Sequence, residues 1–204
     1  MFTMSTSTDA ENPSRPSGSY HHGNLRAALV EAGLRLLEQG ETGDISLREL
    51  ARQLGVSANA TYRHFASKEA LLIAKAAEGV RRFTAALGEG ALSGTTPGER
   101  FLGAGRGYVN FGRKNPALFR LMFGRFTSTH HSEELSEAGE GAFNVLRHGV
   151  AAFMGAAVEE PRVNVAAVQC WSLVHGLTHL ILDGQLDELG NIDELIAAVL
   201  RPPI

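Results

Sequence analysis

The stretch from Ser46 to Phe65, SLRELARQLGVSANATYRHF, constrains the fold more than any other part of the chain. Ser46 with Glu49 predicts a capping box, in which the serine hydroxyl accepts from the N–H three residues on and the glutamate reaches back. Gly55 ends that helix after Leu54, where the chain often needs the left-handed backbone that glycine adopts without strain. Ser57 then caps a second short helix running to about Phe65. Leu47, Leu50, Ala51 and Leu54 give the first helix an apolar stripe, and Val56, Ala60 and Phe65 give the second its matching contacts. Two short amphipathic helices joined by so tight a turn describe a helix-turn-helix, whose second helix can enter a DNA major groove. An ordinary helical hairpin in a bundle has the same pattern, so the exposed side chains must decide.

They favour nucleic acid. Ser57, Asn59, Thr61, Tyr62, Arg63 and His64 crowd the second helix, and all can contact phosphates or base edges. Asn59 has the two-pronged amide that pairs with adenine, while Tyr62 and His64 donate hydrogen bonds. Ser46 and Arg48 add donors from the first helix, and Lys68, after the Ser67 cap, brings charge to a helix N-terminus that already favours anions. A solvated polar face is the plain alternative, but it would not need so many donors among so few carboxylates. The overall charge of −3 hides an asymmetry of the same kind. From Arg15 to Arg82 there are ten Lys/Arg against seven Asp/Glu, and from Phe83 to Ile204 nine against thirteen.

The rest of the 204 residues reads as helix punctuated by glycine and proline, with no alternating strand and no fixed repeat. Nine helices are predicted. One follows Asn24 to near Gly40, then come the two described above, and a long one runs from Lys68 to about Leu87. Thr96-Pro97 opens a helix to about Lys114, and Asn115-Pro116 a short aromatic one through Phe123. Residues from Arg125 to His131 are expected to form a loop, followed by helices at Glu133–Met154, Pro161–Asp183 and Ile192–Leu200. Residues 1–19, rich in Ser, Thr and Pro, are expected to be a disordered tail and lack the basic-then-apolar pattern of a signal peptide. The single cysteine, Cys170, forms no internal disulfide and reads as a small buried hydrophobe. The most apolar stretch, Val163 to Leu182, is interrupted by Asn164, Gln169, His175 and His179, which argues against a membrane span. The expectation is an all-α cytoplasmic protein with no membrane partner.

ISLRELARQLGVS followed by TYRHFASKEALL resembles the DNA-binding domain of the TetR family of bacterial transcriptional regulators, over roughly residues 20–75. Tyr20-His21-His22-Gly23-Asn24-Leu25-Arg26, together with Trp171 and His175-Gly176, is similar to the subgroup with a WHG-type C-terminal domain. The resemblance implies a tail at 1–19, a three-helix DNA-binding domain at 20–66 and a helical ligand-binding and dimerisation bundle at 67–204. It also implies a homodimeric repressor that leaves a palindromic double-stranded operator when a small molecule binds, with Tyr20, His21 and His22 joining the DNA-contacting set. Many relatives carry proline and glycine after the turn serine; this chain has Ala58 and Asn59, so an operator sequence is not transferable.

The second half holds no catalytic constellation, no phosphate loop and no implied cofactor. Phe111, Phe119, Met122 and Phe123 are candidate walls of a ligand cavity, with Trp171, His175 and His179 as its polar anchors. Trp171, His175, His179 and Asp183 stand four apart and share a ridge of one helix. That ridge admits three readings: core or interface, ligand anchors, or metal ligation by the two histidines, in which Gly176 replaces the glutamate of a zinc-protease helix. The expectation is no metal. Ile181, Leu182, Leu186, Leu189, Ile192, Leu195, Ile196, Val199 and Leu200 form an apolar stripe expected to bury itself against a second copy. Two readings rival the repressor: a helical enzyme or carrier sharing the bundle, and an activator of the same fold.

Overall fold

A computed structural model describes residues 24–40, 46–130 and 132–201. Among these residues the chain is helical throughout. The elements are α1 (Leu25–Glu38), α2 (Leu47–Gln53), α3 (Ala58–Tyr62), α4 (Lys68–Leu92), α5 (Pro97–Lys114), α6 (Pro116–Phe123), α7 (Arg125–Thr129), α8 (Glu133–Met154), α9 (Pro161–Leu182), a 3-10 turn (Asp187–Leu189) and α10 (Ile192–Val199). The nine expected helices are all there. The segment expected as a loop after Gly124 contains α7, where the Thr127 and Thr129 hydroxyls donate to preceding carbonyls. The expected tail at 1–19 lies outside the described residues.

Local capping explains most helix starts. Asn24, Ser46, Ser57, Ser67, Thr96, Ser132 and Asn191 each accept a hydrogen bond from a first-turn N–H. The full capping box forms at Thr96, where Glu99 accepts from the Thr95 and Thr96 N–H groups. At Ser46 only half of the expected box forms. The serine accepts from the Glu49 N–H at 3.1 Å, but the Glu49 carboxylate is held by Arg52 at 2.6 and 3.0 Å instead of reaching back. Gly55 takes the left-handed backbone expected of it, with φ +66°. The Val56 N–H reaches the Ala51 carbonyl at 2.9 Å and the Gly55 N–H the Arg52 carbonyl at 3.2 Å, which closes α2 and turns the chain into α3.

One apolar core runs through both ends of the molecule. It begins with Leu29, Leu34, Leu50 and Phe65 among α1–α3 and continues through Leu71, Val80 and Phe83 of α4 to Leu118, Phe119 and Met122 of α6. The long α4 therefore belongs to both halves. At its far end it meets α5 almost backbone to backbone: a Cβ added at Gly90 or Gly103 would collide with the other's carbonyl oxygen.

Much of the apolar stripe at the C-terminus is packed within the chain itself. Ile196 is buried with Val109 of α5 and Leu177 of α9, and Ile181, Leu186, Ile192, Val199 and Leu200 pack around them. The chain's own helices cover these residues, while Leu189 of the same stripe stays exposed. Besides Leu92 and Leu189, open apolar surface lies on Val145 and Phe153 of α8 and on Val165, Val168, Leu173 and Leu180 of α9. By length and composition α9 could cross a membrane. In the fold its opposite face is buried, through Val163 and Ala167 against α8 and Leu177 against α5 and α10.

Candidate nucleic-acid interface and cavity

α2 and α3 present Ser46, Arg48, Ser57, Asn59, Tyr62, Arg63 and His64 to solvent, with Lys68 half-buried at the start of α4. The Ser57 hydroxyl accepts from the Ala60 N–H at 3.2 Å, as Ser46 does from Glu49. Each serine keeps its own hydroxyl proton to donate to a phosphate oxygen. The one carboxylate on α2, Glu49, is held below its usual range, first by its hydrogen bond from Arg52. Its charge is thus balanced locally, leaving Arg48 and Arg63 to set the sign of the face.

Thr61 does not belong to this face. Its side chain is fully buried and its hydroxyl donates to the Ala58 carbonyl at 2.7 Å, so it fills the core beneath α3 and reaches no base. A β-branched residue next to Ala60 satisfies its one polar group within the helix, which spacing alone did not distinguish from an outward threonine. Tyr20, His21 and His22 lie outside the described residues.

A second candidate site lies in the helical bundle. A cavity of about 140 Å³ is walled by Val80, Phe83 and Leu87 of α4, Tyr108 of α5 and Phe123 of α6. Ala142, Phe143 and Leu146 of α8 and Trp171 and Val174 of α9 close it. A second cavity of about 90 Å³ adjoins it, with Phe101, Cys170 and Leu200 among its walls. Cys170 is thus half-buried at a cavity wall, not deep in the core, and burial raises its thiol pKa.

Of the residues expected around a ligand, Phe123 and Trp171 line the larger cavity. Phe119 and Met122 sit in the core below it, packed toward Gly79 and Gly112, where added side chains would clash. Phe111 is buried and faces a shallower groove between α4 and α5. His175 and His179 stand behind the wall in an edge-to-face aromatic cluster, 4.6 Å apart by ring centroid, with Phe119 5.4 Å from His179. The residues missed were Phe83, Leu87 and Tyr108 on α4 and α5, and the α8 stripe Ala142, Phe143 and Leu146. The i, i+4 spacings Phe83–Leu87 and Ala142–Leu146 were the available signal.

His175 acts on the cavity through Tyr108. The Tyr108 hydroxyl accepts from the Trp171 indole N–H at 3.2 Å and lies 2.7 Å from His175 Nδ1. Burial raises the phenol pKa, with the Trp171 bond opposing, so the hydroxyl stays protonated and has a proton to give to Nδ1. Burial, then repulsion from His179, lowers the His175 pKa. Both effects favour the neutral imidazole, and its Nε2–H form is the one that accepts from the Tyr108 hydroxyl at Nδ1. Asp183, the last member of the ridge, pairs with Arg120 at 2.8 Å. Among the described residues no three His, Cys, Asp or Glu side chains are grouped to hold a metal ion.

The cavity and the α1–α3 end of the molecule are joined through α8. Glu134, in the first turn of α8, pairs with Arg26 of α1 and with Arg81 of α4 at 3.1 Å. The Arg26 guanidinium lies 5.3 Å from the centre of the Phe65 ring, just beyond α3. Arg82 extends the ionic chain by pairing with Glu31 of α1 and with Glu78.

Residues 29–74 match the tetR family of bacterial regulatory proteins, and residues 101–201 match the tetracyclin repressor-like C-terminal domain. No curated protein sequence matches. Among solved structures, a protein with unknown function from Rhodococcus sp. RHA1 is 31% identical over 90% of this chain and 95% of that one, with a TM-score of 0.76. A TetR family transcription regulator from Marinobacter aquaeolei VT8 shares the fold at 20% identity and a TM-score of 0.61, over 86% of this chain and 91% of that one. The regulator FadR from Bacillus subtilis, solved in complex with stearoyl-CoA, shares it at 16% identity and a TM-score of 0.63, over 86% and 95%.

Proposed function

This chain belongs to the TetR family of bacterial regulatory proteins, and from that premise we propose that it is a homodimeric repressor released from a palindromic operator by a small molecule held in the cavity between α4 and α9. It is a DNA-binding, ligand-responsive transcriptional regulator. The observation that carries the release mechanism is the double role of α8. The same helix that walls the cavity with Ala142, Phe143 and Leu146 holds Arg26 of α1 through Glu134, and Arg26 lies over Phe65 at the end of the recognition segment. A ligand that displaces α8 displaces that contact. It weakens DNA binding only to the extent that it binds the displaced state more tightly; a tenfold preference is about 1.4 kcal/mol per site.

The dimer reading rests on the open apolar residues of α8 and α9, Val145, Val165, Val168 and Leu180 among them. A second copy covering them by a two-fold contact would form a four-helix interface. Two copies of α3 would then meet successive major grooves about 34–36 Å apart. Phosphate contacts are assigned to Arg48, Tyr62, His64, Lys68 and the Ser46 and Ser57 hydroxyls, and base contacts to Asn59. As a chromosomal regulator it would work in the cytoplasm. Activation rather than repression would follow from operator placement alone.

Selection of duplexes from a random pool tests the reading. The expected product is a palindrome whose binding falls with salt at a log–log slope of about −0.9 per neutralised phosphate. A pool with no sequence enriched over background overturns it.

A further inference from the structure

The two cavities differ from a general-purpose pocket in their wall chemistry. Leu87, Tyr108, Leu146 and Val174 border both, so the two cavities share a wall. Neither wall contains an Asp, Glu, Lys, Arg or His residue among those described. Tyr108 and Trp171 carry the polar side-chain atoms of the larger cavity, and Tyr108 and the Cys170 thiol those of the smaller.

The hydrogen-bond inventory of Tyr108 narrows this further. With the imidazole in its Nε2–H form, the phenol proton goes to His175 Nδ1, and one lone pair takes the Trp171 N–H. No donor then remains on the phenol oxygen, and its one acceptor left is the second lone pair, weakened by conjugation with the ring. A carboxylate or phosphate brought here would meet neither a positive charge nor a free donor, and would lose its hydration without replacement. A hydroxyl could donate to that remaining lone pair.

We propose that the effector is an elongated, uncharged, mainly aliphatic molecule with one hydroxyl-type donor, lying across both cavities with that donor at Tyr108. This rests on the reading that the cavity holds the effector. The shared wall of Leu87, Tyr108, Leu146 and Val174 selects for slender chains over fused rings, because a bulky ring must displace side chains of four helices together. Gly105 supports the span. A Cβ there meets only Leu200 and Val174, at 3.6 and 3.9 Å, so a larger side chain at this position fills the smaller cavity and leaves the larger one open.

Trp171 is the only tryptophan and stands in the cavity wall, so its fluorescence reports occupancy directly. The full-length protein is titrated with decanol, decanoate, hexanol and nonyl methyl ether, an isomer of decanol without a donor, and operator affinity is measured beside each. Decanol is expected to bind at least roughly tenfold more tightly than hexanol, since each further buried methylene adds to transfer. It should also exceed decanoate by roughly tenfold or more, and the ether by roughly threefold to tenfold. In Gly105→Val, or Gly105→Leu if the first variant is unstable, decanol should fall toward hexanol while hexanol is unchanged. Equal binding of decanol and decanoate overturns the uncharged class. Equal binding of decanol and hexanol, or an unaffected Gly105 variant, overturns the span. Binding by none of the probes overturns the proposal as a whole. Decanol that binds as expected yet leaves operator affinity unchanged overturns only the effector reading beneath it.

Discussion

The α2–α3 face and the outer face of α8 and α9 are both open to solvent, for opposite reasons. On α2 and α3 the exposed groups are polar, and many are already committed to the chain itself: Ser46 and Ser57 cap helices, and Glu49 holds Arg52. Removing such a face from water requires a partner that replaces hydration with hydrogen bonds and charge. On α8 and α9 the exposed groups include Val145, Val165, Val168 and Leu180, which gain by leaving water against any surface of matching shape. The first face suits a polyanion that is bound and released; the second suits a permanent partner. The contrast assigns specificity to one end and assembly to the other, and each assignment can be broken separately.

The largest effect is expected from the apolar face. Val168→Glu puts a charge at a half-exposed position, so the fold should survive while the dimer does not. Loss of bivalent binding should cost on the order of a hundredfold in operator affinity. Sedimentation would show monomers at micromolar concentration. Ile196→Glu is the control: this residue is 4% exposed inside α5, α9 and α10, so the variant should lower the melting temperature without producing a folded monomer. The opposite pattern would return the interface to the α10 stripe.

A second test concerns the junction of the two regions. Lys75 on α4 is 2% exposed, and burial, with some repulsion from Lys68, lowers its pKa from 10.5 to about 8. The unfolded chain keeps the ordinary value. Between about pH 8 and 10.5 the unfolded state therefore binds more protons, and stability rises with pH across that window. Below pH 8 both states are charged and the full cost of burial stands. Lys75→Met should raise stability near pH 7 by on the order of 2–3 kcal/mol and remove the rise above pH 8. Denaturant melts at pH 7 and 10 measure both, and a wild type with no alkaline gain would refute the buried ammonium.

Smaller effects should separate Asn59 from Thr61. Asn59→Ala is expected to lose roughly tenfold on the selected operator and to relax one position of the half-site. Thr61→Val keeps the buried shape and removes only the hydroxyl bond to Ala58, so it should cost about 1 kcal/mol of stability and leave sequence preference alone. A changed preference in Thr61→Val would put that residue back on the DNA face.

These tests follow the line between what was legible in the sequence and what was not. Ser46, Gly55 and Ser57 act on neighbours within five residues, so their roles in ending and starting helices could be read from order alone. Family resemblance extended that reading to the whole fold. Glu49 already shows the limit: capping Ser46 and pairing Arg52 are both local, and only the coordinates show that the arginine won. The α10 stripe and the cavity lie further out of reach. Ile192, Ile196 and Val199 have the same spacing whether α5 and α9 or a second chain covers them. Phe119 and Phe123 sit four apart on one helix, yet one is core and the other cavity wall, because Gly79, Gly112 and the α8 stripe decide where α6 can approach. Periodicity says that a residue is inside; it does not say inside what.

The smallest expected effect bears on how the two regions communicate. If α8 transmits ligand binding, the contact to break is Glu134, which holds Arg26 and Arg81 from outside the apolar core. Glu134→Gln keeps the size and one carbonyl acceptor but removes the charge that both guanidiniums share. Each of these partly exposed pairs contributes only about 0.2–1 kcal/mol, so neither folding nor operator affinity without ligand should change by more than a few-fold. Decanol binding, read at Trp171, should be unchanged because no cavity wall is altered. The ratio of operator affinity with and without decanol should shrink by roughly threefold, the size expected when one link of a coupling worth about 1–3 kcal/mol is weakened. Raising the ionic strength should shrink the same ratio in the wild type and have less effect in the variant, because screening acts on the pairs already lost. An undiminished response in Glu134→Gln would leave the shared core along α4, from Leu71 to Phe83, as the route between the two ends.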